Sequence, residues 1–209
     1  MPKWVTVPKD WIGQDVFIIG GGTSLNGFNW DLLRNELTIG CNAAYKLGKD
    51  ICKICIFGDL KFFKKYKDEL QSFEGIVVTN ETHLQNTKEP WLWTMRRESI
   101  GLHEHSLGWN CNTGASAINL AFILGAKRVY LLGFDMKLST DGKSNWHNYG
   151  LDKPNTAICI RMNDSFKYVY RDWQKKFADR EIINITNDSD LNYFPKIEVE
   201  KFWNERLLK

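Results

Sequence analysis

Three glycines and two hydroxyl residues, Gly20-Gly21-Gly22-Thr23-Ser24, follow directly on the apolar segment Val16 to Ile19. Glycine lets a ligand come close to the backbone, and successive N–H groups in such a turn form a concavity for phosphate. The run is neither the GxGxxG dinucleotide fingerprint nor a Walker loop, which needs Gly-Lys-Ser/Thr. A nucleotide site of another kind is one reading. A tight strand-to-helix turn without a ligand is the other.

Asn112-Thr113-Gly114 opens a second apolar segment, Ala115 to Leu124. Backbone donors at a helix start, with the Asn and Thr side chains beside them, suit an anion or a ribose phosphate. As plain structure, Asn112 or Thr113 caps the helix. Asn42, Asp59 and Asp135 each come within one or two residues of an apolar run that ends in glycine: Thr38 to Gly40, Ile56 to Gly58, and Leu131 to Gly133. Such positions crown a parallel sheet, where an amide or carboxylate can meet ribose hydroxyls, a base edge or a metal. Taken singly, each is a turn residue.

Ser144 to Tyr149 places His147 between Trp146 and Tyr149. Histidine titrates near neutrality and is the commonest general base, so His147 is the candidate proton acceptor on a lid. His83, His103 and His105 have no third ligand at a usual metal spacing and read as solvated. Asp188-Ser189-Asp190 spells the DxD of metal-dependent glycosyltransferases, yet its Asn/Thr/Ser-rich surroundings favour a turn. Cys52-x-x-Cys55 lies in an apolar run with no second pair to complete a zinc site, so these are buried thiols. No metal site is expected.

The elements that must position these groups follow from hydrophobic patterning. Asp15 to Ile19, Leu37 to Gly40, Ile51 to Phe57, Gly75 to Thr79, Arg128 to Gly133 and Glu181 to Ile185 read as strands, mostly without polar alternation, as in sheets covered on both faces. Lys61 to Ser72 is an amphipathic helix, Thr113 to Leu124 a helix apolar on nearly every side, and a third helix runs behind an Asp164-Ser165 cap. The alternation predicts an α/β protein, a Rossmann-like three-layer α/β/α arrangement with a mostly parallel sheet. Glu81 to Asn112 and Met136 to Asp164 fit no regular element, and the second is read as a lid insertion of about residues 136–163.

The chain has 209 residues, 43% of them hydrophobic and 25% charged, with a net charge of +3. That is one sizeable core without linker or repeat, so residues 1–209 are read as one domain. The composition excludes a disordered chain and a strongly basic nucleic-acid binder. Ala115 to Ala126 is too short for a membrane span, and the N-terminus lacks a signal-peptide core, so cytoplasmic residence is expected. Five cysteines, an odd number, argue against a secreted disulfide framework.

In order and spacing, the turn Gly20 to Leu25, then Gly40-Cys41-Asn42, Phe57-Gly58-Asp59 with Phe62-Phe63, Thr113-Gly114, Gly125 to Asp135 and Asp190 to Pro195 resemble the single-domain bacterial sialyltransferases of glycosyltransferase family 42. They are similar too to proteins grouped with the archaeal hydroxymethylpterin pyrophosphokinase, many of them encoded by phages and prophages, which would place the chain in a host cytoplasm. The sialyltransferase resemblance implies a CMP-sugar donor and inverting transfer with no required cofactor. It sets Gly20 to Ser24 and Asn42 against the nucleotide, Asp59 where that family has an amide near the donor, and Thr113-Gly114 on the cytidine or ribose side. It makes His147 the lid histidine and Tyr149 the tyrosine on the leaving phosphate, with Tyr168 a second candidate. The family's turn reads Gly-Asn-Gly-Pro-Ser-Leu, whereas this chain has Gly21 and Thr23 in place of Asn and Pro.

The expected activity is glycosyl transfer from a nucleotide-sugar to an acceptor hydroxyl. The alternatives are a pyrophosphokinase or related nucleotide-dependent transferase, which would use Mg²⁺, and a non-catalytic nucleotide-binding protein. The expected partner is a nucleotide or nucleotide-sugar. Nucleic acid is not indicated, an oligomer is compatible, and the acceptor is not legible.

Overall fold

The computed structural model describes residues 9–87, 89–149 and 155–208. In chain order the elements are β1 (Asp15–Ile19), β2 (Leu37–Cys41), β3 (Ile54–Phe57), α1 (Leu60–Ser72), β4 (Ile76–Thr79), β5 (Leu92–Thr94), β6 (Arg97–Glu98), β7 (Leu107–Gly108), α2 (Thr113–Leu124), β8 (Arg128–Leu132), α3 (Thr156–Lys176), β9 (Glu181–Asn184) and α4 (Val199–Leu207). Short 3-10 turns fill the β1–β2 and β2–β3 connections, where the chain is too brief for an α-helix.

Seven strands form one sheet in the order β5-β4-β3-β2-β1-β8-β9, every neighbouring pair parallel. The expected α/β architecture with a mostly parallel sheet is what is found. Successive side chains of a strand face opposite sides, and here both sides are apolar because both are covered. Val16, Ile18, Ile39, Ile56, Val129 and Leu131 pack with α2 and α3. Phe17, Ile19, Tyr130 and Leu132 pack with Phe202 and Trp203 of α4 on the other side, where α1 covers Cys55, Phe57 and Val77. The Phe17 ring stacks on Trp203 at 5.3 Å and on Tyr130 at 5.1 Å. Burying one such ring contributes about 3 kcal/mol. Arg206 docks α4 by bonding Asp15 (2.8 Å) and gripping Glu36 with two nitrogens (2.8 and 3.1 Å).

Three expectations change. The helix expected behind Asp164-Ser165 begins two turns earlier at Thr156, where the Asn155 side chain accepts from the Ala157 N–H (2.8 Å). Those first turns carry Ile158, Cys159 and Met162 toward a cavity, not the core, which breaks the apolar period that marks the rest. Part of the stretch read as a lid is therefore helix, and residues 150–154 lie outside the described residues. β5, β6, β7 and α4 are additional, the strands in Glu81 to Asn112 too short and the helix too charged to stand out in the pattern. No helix among the described residues is long and apolar enough to cross a membrane.

Cys41, Cys52 and Cys55 are free, buried thiols, and burial pushes Cys52 up to about 12, so none of them is a thiolate at neutral pH.

Candidate active site

The strand order reverses between β1 and β8: the chain leaves β1 toward β2 on one side and returns in β8 on the other. In an open parallel sheet that reversal leaves a crevice at the carboxyl ends of the strands, where ligands bind. A cavity of about 330 Å³ lies there, lined by Gly20 to Gly22 after β1, Gly133 to Lys137 after β8, Asn42 after β2, Asp59 after β3, Asn112 to Gly114 at the start of α2, and His147 and Tyr149. Two loops 93 residues apart in sequence, near Gly21 and near Gly114, thus share one space with the lid histidine.

The glycine turn is braced against the end of β8. Gly20 N–H donates to the Leu132 carbonyl (2.7 Å) and Gly22 N–H to the Gly133 carbonyl (2.8 Å). Any side chain on Gly20 would strike the Gly133 carbonyl oxygen at 2.5 Å, and one on Gly22 would strike Asp135 at 1.9 Å. Close approach of two backbones, not a special dihedral, is why both must be glycine. Asp135 closes the corner: it accepts from the Ser24 N–H (2.9 Å), the Ser24 hydroxyl (2.5 Å) and the Thr23 hydroxyl (3.2 Å). The structure therefore places Thr23 and Ser24 outside the cavity lining, their hydroxyls turned to a carboxylate rather than to a ligand. Asp135 lines the cavity with both oxygens engaged. Gly21 keeps an N–H without a partner among the described residues.

Asn112 is also engaged. Its Oδ1 accepts from the N–H groups of Gly114 (2.9 Å) and Ala115 (3.3 Å), while its Nδ2 donates to the Met162 carbonyl (3.1 Å) and the Ser165 hydroxyl (3.2 Å). It caps α2 and ties it to α3. A Cβ at Gly114 would meet the Phe134 ring at 2.6 Å, so glycine seats the helix start against the end of β8. Asn42, by contrast, has a left-handed backbone (φ 52°) and an amide with no partner among the described residues. Met136 is also left-handed (φ 56°), which a long side chain resists. Two left-handed non-glycine residues lining one cavity are the kind of backbone that persists at binding sites. Asp59 caps α1 with Oδ1, accepting from the Lys61 N–H (2.7 Å), and its other oxygen has no partner among the described residues.

The lid is held at two points. Trp146 donates its backbone N–H to the Gly21 carbonyl (2.9 Å) and its indole N–H to the Gly20 carbonyl (3.2 Å), with its ring against Trp30. Tyr149 accepts at its carbonyl from the Tyr66 hydroxyl (2.8 Å), and the Lys46 ammonium lies 4.4 Å from its ring centroid. Helix α1 is interrupted at Tyr66 (φ −119°, ψ 16°) where it meets the lid. Between these points, His147 accepts the Tyr149 N–H at Nδ1 (3.2 Å). Burial lowers its pKa, and the Lys46 charge acts the same way. A neutral ring that accepts at Nδ1 carries its proton on Nε2, so it presents a donor to the cavity.

No family model matches the sequence, and no curated protein matches it. Among solved structures the chain is similar to a point mutant of the alpha-2,3/8-sialyltransferase CstII, with 17% identity and a TM-score of 0.51 over 90% of this chain and 88% of that one. It is similar as well to the monofunctional alpha-2,3-sialyltransferase Cst-I from Campylobacter jejuni, with 18% identity and a TM-score of 0.52 over 90% of this chain and 82% of that one. The likeness is one of fold.

Groups that sequence reasoning left out also line the cavity. Asn145 stands where a Gly21 side chain would be, its Oδ1 2.5 Å from that position. Met136, Asn155, Cys159 and Met162 come from segments whose apolar pattern is broken, and that break was the available signal. Asp188 and Asp190 lie outside the lining and pair with Lys137 at 2.7 and 3.6 Å, while Ser189 donates to the Phe134 carbonyl (2.6 Å). The DxD is a turn. Among the described residues no three His, Cys, Asp or Glu side chains gather to hold a metal ion.

Proposed function

We propose that the chain is a glycosyltransferase that takes a nucleotide-activated sugar, CMP-linked or similar, into the crevice between the ends of β1 and β8. The observation that carries this is the convergence of the glycine turn, the start of α2 and His147 on one cavity at the sheet's reversal point. The unpartnered Gly21 N–H and the Asn42 amide supply donors for the phosphate and the nucleoside. The fold shared with two sialyltransferases fits this reading.

The roles follow from which valences are open. Of the two carboxylates on the cavity wall, Asp135 has both oxygens bonded and Asp59 has one free. Asp59 takes the proton of the acceptor hydroxyl as its oxygen bonds to the anomeric carbon and the bond from that carbon to the phosphate oxygen breaks. His147 donates its Nε2 proton in a hydrogen bond to the departing phosphate, where negative charge builds. Tyr149 holds the imidazole in that tautomer through its N–H. We assign His147 this donor role in place of the base role expected from the sequence, because Nδ1 accepting from the Tyr149 N–H leaves the ring proton on Nε2.

A thermal-shift panel of CMP, UDP, ADP and their sugar conjugates tests the site first. A ligand at 100 times its dissociation constant adds about 2.7 kcal/mol, a rise of roughly 5–10 °C for a chain of this size. Donor hydrolysis, with water as acceptor, then separates the roles. His147→Gln, which keeps an N–H at the Nε2 position, should stay within about tenfold of wild type, while His147→Ala and Asp59→Asn each lose about 10²-fold. Asn caps a helix as well as Asp, so Asp59→Asn should melt like wild type. Equal inactivity of the Gln and Ala variants would return His147 to the base role, and no shift with any nucleotide would end the proposal.

A further inference from the structure

Beside the donor cavity stand two buried polar atoms without partners among the described residues, Asn80 Oδ1 just after β4 and Arg97 Nε on β6. Such atoms each cost about 1–3 kcal/mol, so a fold keeps few of them. Asn80 is 1% exposed, and its Nδ2 faces Ser116 (3.5 Å), whose hydroxyl gives its proton to the Gly108 carbonyl (2.8 Å). Oδ1 faces the other way, toward Gly58. Gly58 is not in the left-handed region, so its backbone does not require glycine. Space favours it: a Cβ there would press on Asn80 Oδ1 at 3.2 Å and touch the Trp109 ring at 3.7 Å.

Trp109 is the cover. Its ring lies 4.0 Å from the Arg97 guanidinium carbon and beside Gly58, yet 37% of it faces solvent. Few contacts hold a side chain that exposed, and it bridges the Arg97 guanidinium and Gly58, whose empty Cβ position is 3.2 Å from Asn80 Oδ1. Glu81 faces Arg97 at 3.9 Å and also binds His83 Nδ1 (2.7 Å). Burial alone would raise the Glu81 carboxyl, but His83 and Arg97 hold it below its ordinary value, so it is ionised and offsets the guanidinium.

We propose that Asn80 and Arg97 form an acceptor subsite for a neutral sugar hydroxyl, closed by Trp109 when empty. A hydroxyl both accepts, here from Arg97 Nε–H, and donates, here to Asn80 Oδ1, and the absence of net charge selects a neutral sugar over an anionic one. Gly58 directly precedes Asp59, which lines the donor cavity, so the subsite lies at the β3 edge of that cavity. Opening the indole exchanges two unpaired groups for two hydrogen bonds, which lowers the cost of the movement. The subsite rests on the glycosyltransferase reading for its purpose, but its binding can be measured without turnover.

The test is saturation-transfer NMR with methyl β-galactoside, methyl β-glucoside and methyl N-acetyl-β-glucosaminide on the full chain, alongside the CMP thermal shift. At least one glycoside should bind wild type and bind roughly tenfold more weakly to Asn80→Leu and to Gly58→Ala, with the CMP shift unchanged. Asn80→Leu replaces an orphaned acceptor by an apolar group of similar volume, so its Tm should hold or rise. A bound water bridging the two atoms, not a sugar, is the answer if no glycoside binds wild type while CMP does. Glycoside binding that survives both variants, or a Tm loss of several degrees in Asn80→Leu, would also overturn the subsite. Glycoside binding lost in both variants, with no CMP shift even in wild type, would support the subsite and defeat the nucleotide reading.

Discussion

The β1–β8 corner and the β2–β4 rim both sit at the carboxyl end of the sheet, yet they handle their polar atoms in opposite ways. At the corner, Asp135 takes three hydrogen bonds from Thr23 and Ser24, Gly20 and Gly22 bond the end of β8, and Asn112 uses its whole amide on α2 and α3. At the rim, Asn42 has a strained backbone and a free amide, Asp59 has a free oxygen, and Asn80 has a buried one. A polar group that is already paired stabilises a shape. One left open is available to a ligand, and at buried Asn80 it is left open at a cost. The most recognisable motif of the chain is therefore largely framework, and the open chemistry lies one to three strands away.

Asp135→Ala should break this contrast most severely. It removes a nearly buried carboxylate and leaves Ser24 and Thr23 without their partner, a loss of about 3 kcal/mol and roughly 6–12 °C in Tm. Thermal unfolding by circular dichroism measures it. If the variant instead melts like wild type and loses only nucleotide binding, Asp135 is a ligand group and the division between the two regions fails.

The sequence shows the frame better than the site for a physical reason. Strands buried on both faces leave unbroken apolar runs, so β1, β2, β8 and β9 are legible to within a residue or two. Helix α2 is legible because Asn112-Thr113-Gly114 is both a cap and a sharp change from polar to apolar. Site residues obey no such period. Thr23 and Ser24 have the right type for a phosphate, but whether their hydroxyls face a ligand or Asp135 depends on a partner 111 or 112 residues away. Arg97 sits in a segment with no recognisable pattern and Asn80 directly follows a strand, and the packing of Trp109 and Gly58 marks them.

Asn42→Gly sharpens the comparison from the other side. Glycine adopts a φ near 52° freely, so the change should alter stability by less than about 1 kcal/mol, whereas loss of the amide should weaken nucleotide binding about tenfold. A paired thermal-shift titration reads both. A large loss of stability with unchanged affinity would show that Asn42 braces its turn as Asp135 braces the corner.

The lid joins the two regions, and its histidine gives the smallest effect. In the unfolded chain His147 titrates near its ordinary 6.5, while in the fold burial and Lys46 lower its pKa. As pH falls below that ordinary value the unfolded state takes up a proton that the folded state resists. The stability present above it is lost progressively until the folded pKa is passed. Wild type should therefore lose about 2 °C more in Tm than His147→Gln between about pH 7.5 and pH 5. The size is modest because the ring is only half buried and solvent screens it. Parallel slopes would mean that in solution the segment from Trp146 to Tyr149 does not close over its histidine, and the Nδ1 bond that makes Nε2 a donor would lose its basis.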